Sequence, residues 1–243
     1  MPGYARRGVH GQTVEELAHR VLSGALGEGA TLDLVALQEE LGVSLTALRE
    51  SLKVLAAKGM VDARQKRGTF VRPRADWNLL DADVLRWQFQ TAGAGGPAAV
   101  PTLLHDLDEV RGIVEPAAVR LAAQRRTAAD LAALDAALDA MRQARGAAPE
   151  AVEADLAFHR ALLAASHNEL LERMERVVST ARAARDRLVH GPGHRPRDPV
   201  PSHRAVLEAV RERDGDAAQE AMRALLAQAA HDVALLREQS PGD

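Results

Sequence analysis

Three side chains in this 243-residue chain stand at spacings that could hold a metal ion. Asp155 and His159 lie four residues apart in the stretch DLAFH. Residues i and i+4 share one face of a helix, so that carboxylate and that imidazole point the same way. His203 begins a later helical stretch, followed at helical spacing by Val206, Leu207 and Val210. One carboxylate and two imidazoles from two helices of a bundle make a facial donor set with open positions. The plainer explanation of each residue alone is a hydrogen-bonded core or surface group. A second set is cationic and suits phosphates: the run Arg64-Gln65-Lys66-Arg67-Gly68, preceded by Arg49 and Lys53. Arg111 has Glu115 at i+4, the spacing of a surface helix pair.

The cationic set needs a helix and a hairpin to present it. Leu34, Leu37 and Leu41 share one face of a first short helix. Gly42 allows a sharp turn, and Ser44 is placed to cap the next helix. There Leu48, Leu52 and Leu55 form the stripe to be buried, leaving Thr46, Arg49, Glu50 and Lys53 opposite. Such a helix can lie in a major groove. An apolar segment from Met60, the basic turn, and Thr69-Phe70-Val71 follow, which is a hairpin pattern. As a wing it would set its cations beside phosphates. The expected contacts to double-stranded DNA are Ser44, Thr46, Arg49 and Lys53 from the helix. From the wing they are Arg64, Lys66, Arg67, Gly68 and Thr69.

The order Gly-Val-Ser, Leu-Arg-Glu-Ser-Leu, Lys-Gly-Met-Val and Arg-Gly-Thr-Phe-Val resembles the winged-helix domain of the GntR superfamily of bacterial transcription regulators. Arg49 matches the family's Arg-Glu pair. Val35 and Leu45 stand where the family usually has DNA-facing arginines, so the operator sequence does not carry over. The stretch from wing to linker resembles the galactonate-responsive repressors of the FadR branch. That resemblance implies an all-helical C-terminal ligand domain of the FCD type, which in many members holds a divalent metal (Zn, Mn or Ni) on one Asp and three His. Asp155, His159 and His203 match three of these ligands, and Leu225 occupies the place of the fourth. Arg111 matches the arginine that lines the family's effector pocket, and Asn168 could add a polar contact beside its capping role. The effector implied is a small carboxylate of sugar-acid type. The implied assembly is a homodimer on a palindromic operator, a repressor released by its effector. Two alternatives stay open: a metal-dependent enzyme using the Asp/His/His triad, and an architectural DNA binder without ligand.

The expected fold is mainly α: a winged helix-turn-helix over 1–75, an interdomain helix and linker over 76–99, and an all-α bundle of about six helices over 100–238. Composition agrees, with 47% hydrophobic residues but only 2% aromatics, as in a Leu-, Val- and Ala-rich bundle. Residues 1–75 carry 11 Lys and Arg against 8 Asp and Glu, a net +3; the rest carries 20 against 26, a net −6. A basic head on an acidic body suits DNA binding joined to separate sensing. The absence of cysteine excludes disulfides and thiolate metal sites and fits a reducing cytoplasm. No apolar run reaches the ~20 residues of a membrane span, and Met1 to Gln12 lacks the apolar core of a signal peptide. A first helix is expected over Thr13–Leu26, capped by Thr13 with Glu16 three residues later. Trp77, Trp87 and Phe89 are expected to anchor the junction between head and body. Thr91 to Pro97 reads as a linker, and His190 to Pro201 as a loop. Pro116 should kink a long helix, and Leu170, Leu171, Met174, Val177 and Val178 should face inward from another.

Overall fold

The computed structural model describes residues 8–91, 99–144, 148–189 and 198–239. Its contacts divide the chain into two units, Met1–Pro101 and Thr102–Asp243. The fold is mainly α, with one two-stranded sheet among the described residues. None of the described helices is long and apolar enough to cross a membrane.

The first unit contains α1 (Val9–Leu22), α2 (Leu34–Leu41), α3 (Leu45–Ala57), β1 (Val61–Arg64), β2 (Gly68–Val71), a 3₁₀ turn over Arg74–Asp76, and α4 (Ala82–Thr91). Thr13 does not cap α1. It lies inside the helix, where its hydroxyl donates to the Val9 carbonyl at 2.8 Å. A threonine satisfied one turn back does not stop a helix, so α1 begins four residues earlier. Asp33 caps α2 through the N–H groups of Val35 and Ala36. Gly42 ends that helix in the left-handed region at φ 62°, which glycine adopts without strain. Ser44 caps α3 by accepting from Ala47 N–H at 3.1 Å. Gly59 is obligatory after α3: φ is +76°, and a Cβ there would stand 2.4 Å from the Asp76 carbonyl oxygen.

The core of this unit joins Val14 and Leu17 of α1, Leu48 and Leu55 of α3, and Val71 of the wing. Trp77 and Trp87 complete that core, and Phe89 is half-buried. The reason lies in the packing of α4 on α1. Trp87 Nε1 donates to Glu15 at 2.8 Å, and Arg86 pairs with the same carboxylate at 2.7 Å. Lys58, at the end of α3, reaches Asp81 at 2.7 Å and Asp83 at 3.0 Å beside the Trp87 ring.

Among the described residues the second unit has six helices: α5 (Ala99–Arg125), α6 (Ala128–Ala144), α7 (Ala148–Ala165), α8 (Glu169–Val189), α9 (Val200–Arg211) and α10 (Gly215–Gln239). Its core joins Val119, Leu134, Leu138, Phe158, Leu162, Val206, Leu207, Val210 and Met222. α5 continues through Pro116 as one helix, which leaves the Gly112 carbonyl without its usual partner. Thr127 and Asp130 open α6 as a reciprocal pair: Thr127 N–H donates to the Asp130 carboxylate at 2.7 Å, and Asp130 N–H to the Thr127 hydroxyl at 3.2 Å. α9 begins at Val200 with Pro201 in its first turn, so His203 sits inside the helix and not at its opening. Burial deepens along α8. Leu170 is 74% exposed, Leu171 and Met174 are half-buried, and Val177 and Val178 are buried. The expected inward position of Leu170 is therefore wrong, because the first turn of α8 lies at the edge of the bundle. The expected linker and the two loop histidines, His190 and His194, fall outside the described residues.

Candidate functional site

The candidate DNA face follows from helix periodicity. With Leu48, Leu52 and Leu55 buried, Thr46, Arg49, Glu50 and Lys53 are all exposed. Lys53 pairs with Glu50 at 2.7 Å, whereas Arg49 makes no ion pair among the described residues. The wing pairs Val61 with Val71 and Arg64 with Gly68, leaving Gln65, Lys66 and Arg67 as the turn. Its three cations are not equivalent. Arg67 folds back, donating to the Gly29 carbonyl at 3.1 Å with its guanidinium 3.6 Å from the Phe70 ring centroid. Arg64 lies 5.3 Å from the same ring and 3.5 Å from Asp62. Lys66 is exposed at the tip, at φ 67°. Gly68 is exposed and Thr69 half-buried, with the Thr69 carbonyl accepting from Leu32 N–H at 2.8 Å. Val35, where the resemblance puts an arginine, is 67% exposed.

In the second unit the ligand-type residues converge. Asp155 and His159 come from α7 and His203 from α9, and one donor atom of each lies within 4.8 Å of the others. His203 Nδ1 is 2.7 Å from the Pro199 carbonyl oxygen, which can only accept, so Nδ1 carries the proton. Its Nε2 then faces Asp155 Oδ1 at 3.0 Å. His159 Nδ1 lies 2.9 Å from Glu115 Oε2, a contact favourable only to an N–H. Its Nε2 faces Nη2 of Arg182, which can only donate. His159 thus turns a lone pair toward the cluster centre, His203 Nε2 faces the Asp155 carboxylate, and an oxygen lies behind each ring. That arrangement orients imidazole ligands around a metal.

Around this centre lies a buried charge network. Arg111, 2% exposed, donates to Glu115 at 2.8 Å and to Asp108 at 2.9 Å. The Arg111–Glu115 pair, whose spacing alone would suit a helix surface, is therefore inside the bundle. Burial tends to raise the Glu115 carboxyl, but Arg111, Arg182 and His159 outweigh it and hold it well below the usual carboxylate range. Asp155 is likewise held low, burial being overcome chiefly by Arg182 and then by His203 and His159. Burial and then Arg182 push His159 down to about 4, against the pull of Glu115 and Asp155, so the ring is neutral near pH 7. Glu115, Val119, His159, Leu162 and Met222 line a narrow recess with no room for a water molecule.

The donor set and the oxygens behind both rings fit a divalent cation. Leu225, buried in the core, offers no fourth donor. Arg182 is the residue that sequence reasoning missed. It is 1% exposed, and its Nε lies 3.2 Å from Asp155 Oδ2. A unit charge and a divalent ion ~4 Å apart repel by about 8 kcal/mol at an effective dielectric constant of ~20, so the guanidinium opposes an ion at this centre. A signal was present: Leu171, Met174, Val178 and Arg182 continue one stripe of α8 at three- and four-residue spacing. Asn168 caps α8, its side-chain oxygen accepting from Leu170 N–H at 3.1 Å. His167 pairs with Asp130 at 2.9 Å, and His231 is exposed.

Residues 10–71 match the family described as bacterial regulatory proteins, gntR family, and residues 106–228 match the FCD domain. The galactonate operon transcriptional repressor of Escherichia coli K12 is 34% identical over 213 residues, covering 87% of this chain and 90% of that one. The Glc operon transcriptional activator of the same strain is 32% identical over 173 residues, 68% of this chain and 64% of that one. A solved structure, Lar, described as controlling expression of the Listeria monocytogenes agr system, superposes with a TM-score of 0.64 at 16% identity. It covers 96% of this chain and 99% of its own, a likeness of fold. These names are all those of regulators, and nothing in them supports the enzyme alternative. A gntR-type DNA-binding head followed by an FCD effector domain places the chain in the GntR family of bacterial transcription regulators, FadR type.

Proposed function

We propose that this regulator is a repressor that binds a palindromic operator as a homodimer and is released by a small carboxylate of sugar-acid type. Ser44, Thr46, Arg49 and Lys53 would face the major groove, with Arg49 reading a base and the others positioning α3. Arg64, Lys66, Arg67, Gly68 and Thr69 would follow the phosphates, and Lys66 is the least encumbered of them. The protein would act in the cytoplasm.

The reading of the effector rests on Arg111. Its Nη2 is fully buried with no hydrogen-bond partner among the described residues. A buried donor left unmade costs ~1–3 kcal/mol, which an effector carboxylate would recover. Asp155, His159 and His203 would hold a divalent ion (Zn, Mn or Ni), which would supply a second positive point for a hydroxy acid. Asn168 would contribute only its amide N–H₂ group, since its oxygen caps α8. The galactonate repressor, a relative whose name carries a sugar acid, favours a sugar acid over a long acyl chain.

The test uses an operator enriched from random DNA by the full-length protein. Fluorescence anisotropy then measures affinity with galactonate, other sugar acids and lactate, each with and without Mn²⁺. At least one acid should weaken binding tenfold or more. Unchanged affinity with every acid under both conditions would sink the effector reading and leave a plain DNA binder.

A further inference from the structure

We propose that Arg182 is a tethered cation that contends with a divalent ion for the seat made by Asp155, His159 and His203. The inference rests on the reading that these three residues hold an ion. Arg182 already engages two of the three donors. Its Nε lies 3.2 Å from Asp155 Oδ2, and its Nη2 meets the Nε2 lone pair of His159. These are the atoms a metal would need, and a guanidinium cannot shed its charge to make room. An ion entering must therefore expel it.

Two further features weigh on the contest. Leu225 leaves the ion three protein donors, so the remaining positions fall to water or effector. Arg182 lies at the deep end of α8, where Val177 and Val178 are also buried, and its side chain is 1% exposed. Its departure requires that part of α8 to rearrange, so loading the seat is coupled to the position of this helix. In the ion-free protein the guanidinium neutralises Asp155 and holds the cluster closed. The apparent affinity for a divalent ion is then lowered by the population of the arginine-closed form.

The experiment titrates metal-stripped full-length protein with Mn²⁺ alone and with Zn²⁺ alone, by calorimetry and by thermal melting. Arg182→Met removes the contending charge, and Arg182→Gln removes it while keeping a donor toward Asp155. Both should bind the ion at least tenfold more tightly than the unaltered chain. Ion-free Arg182→Met should melt several degrees lower and regain that loss with Mn²⁺. Leu225→His should also tighten binding, by adding a fourth donor. If Leu225→His tightens binding while both Arg182 variants stay within twofold of the unaltered chain, the seat is right and the contention is wrong. If no variant binds either ion up to millimolar concentration, the seat itself is wrong and the proposal falls with it.

Discussion

In the first unit Thr46, Arg49, Lys53 and Lys66 stand in solvent, and the buried face of α3 carries Leu48, Leu52 and Leu55 with one polar side chain, Ser51, whose hydroxyl donates to the Ala47 carbonyl. In the second, Arg111, Glu115, His159, Arg182 and His203 are each at most 3% exposed, with Phe158 and Leu162 for company. The two placements have different costs. A cation in water is nearly free to keep, and its interactions wait for a polyanion whose phosphates are also in water. A charge inside a bundle loses its hydration, so it must be matched at once by another charge or a directed hydrogen bond. A ligand reaching that network would have to replace one of those matches. DNA binding and effector sensing thus fall to opposite electrostatic designs within one chain.

This contrast can be broken by removing charges from each side. The largest effect is expected for Glu115→Ala, which strands Arg111 and deprives His159 of the oxygen behind it. Loss of one partner of a buried pair costs about 3–5 kcal/mol, to be read as a lower urea midpoint with the slope unchanged. An equal midpoint would mean that the network is not matched as described. Arg49→Ala should leave the melting temperature alone and lower operator affinity by about 1–3 kcal/mol, on the order of tenfold, with relaxed preference at one base position. A fall in stability with no change in specificity would remove Arg49 from the reading face. Lys66→Ala should weaken binding to all sequences alike, and the slope of log affinity against log salt should drop by about 1. A base-specific effect there would contradict a phosphate role.

The smallest effect is one of pH. Burial works to raise the Asp130 carboxyl, but its bonds from Thr127 and His167 hold it below its ordinary 3.8. A depressed folded-state value gives stability that is present above the unfolded value and lost as pH falls through the folded one. Asp130→Asn should therefore be less stable than the unaltered chain at pH 6, by about 1 kcal/mol or less as for a helix cap. The gap should close as pH falls below about 4. A gap that stays constant down to pH 2 would show that the charge of Asp130 plays no part.

Much of this was legible in the residues, for reasons that differ between the units. The split of α3 into Leu48, Leu52 and Leu55 against Thr46, Arg49 and Lys53 is a periodicity, and periodicity survives any packing. The convergence of Asp155 and His159 follows from helix pitch alone. Position along a bundle is another matter. Leu170 and Val177 occupy the same face of α8, yet one is exposed and the other buried, and only neighbouring helices decide that. Arg111 and Glu115 have the spacing of a solvent pair, and their burial comes from other helices, which the local sequence does not contain. Thr13 misled because its hydroxyl can serve at a cap or inside a helix.

Lys58 ends α3 and is tied to Asp81 and Asp83, just ahead of and within α4, the helix from which the chain leaves the first unit. The base-reading rod and the exit strut are thereby riveted at one joint. A pull on that strut would reach the rod through these two ion pairs.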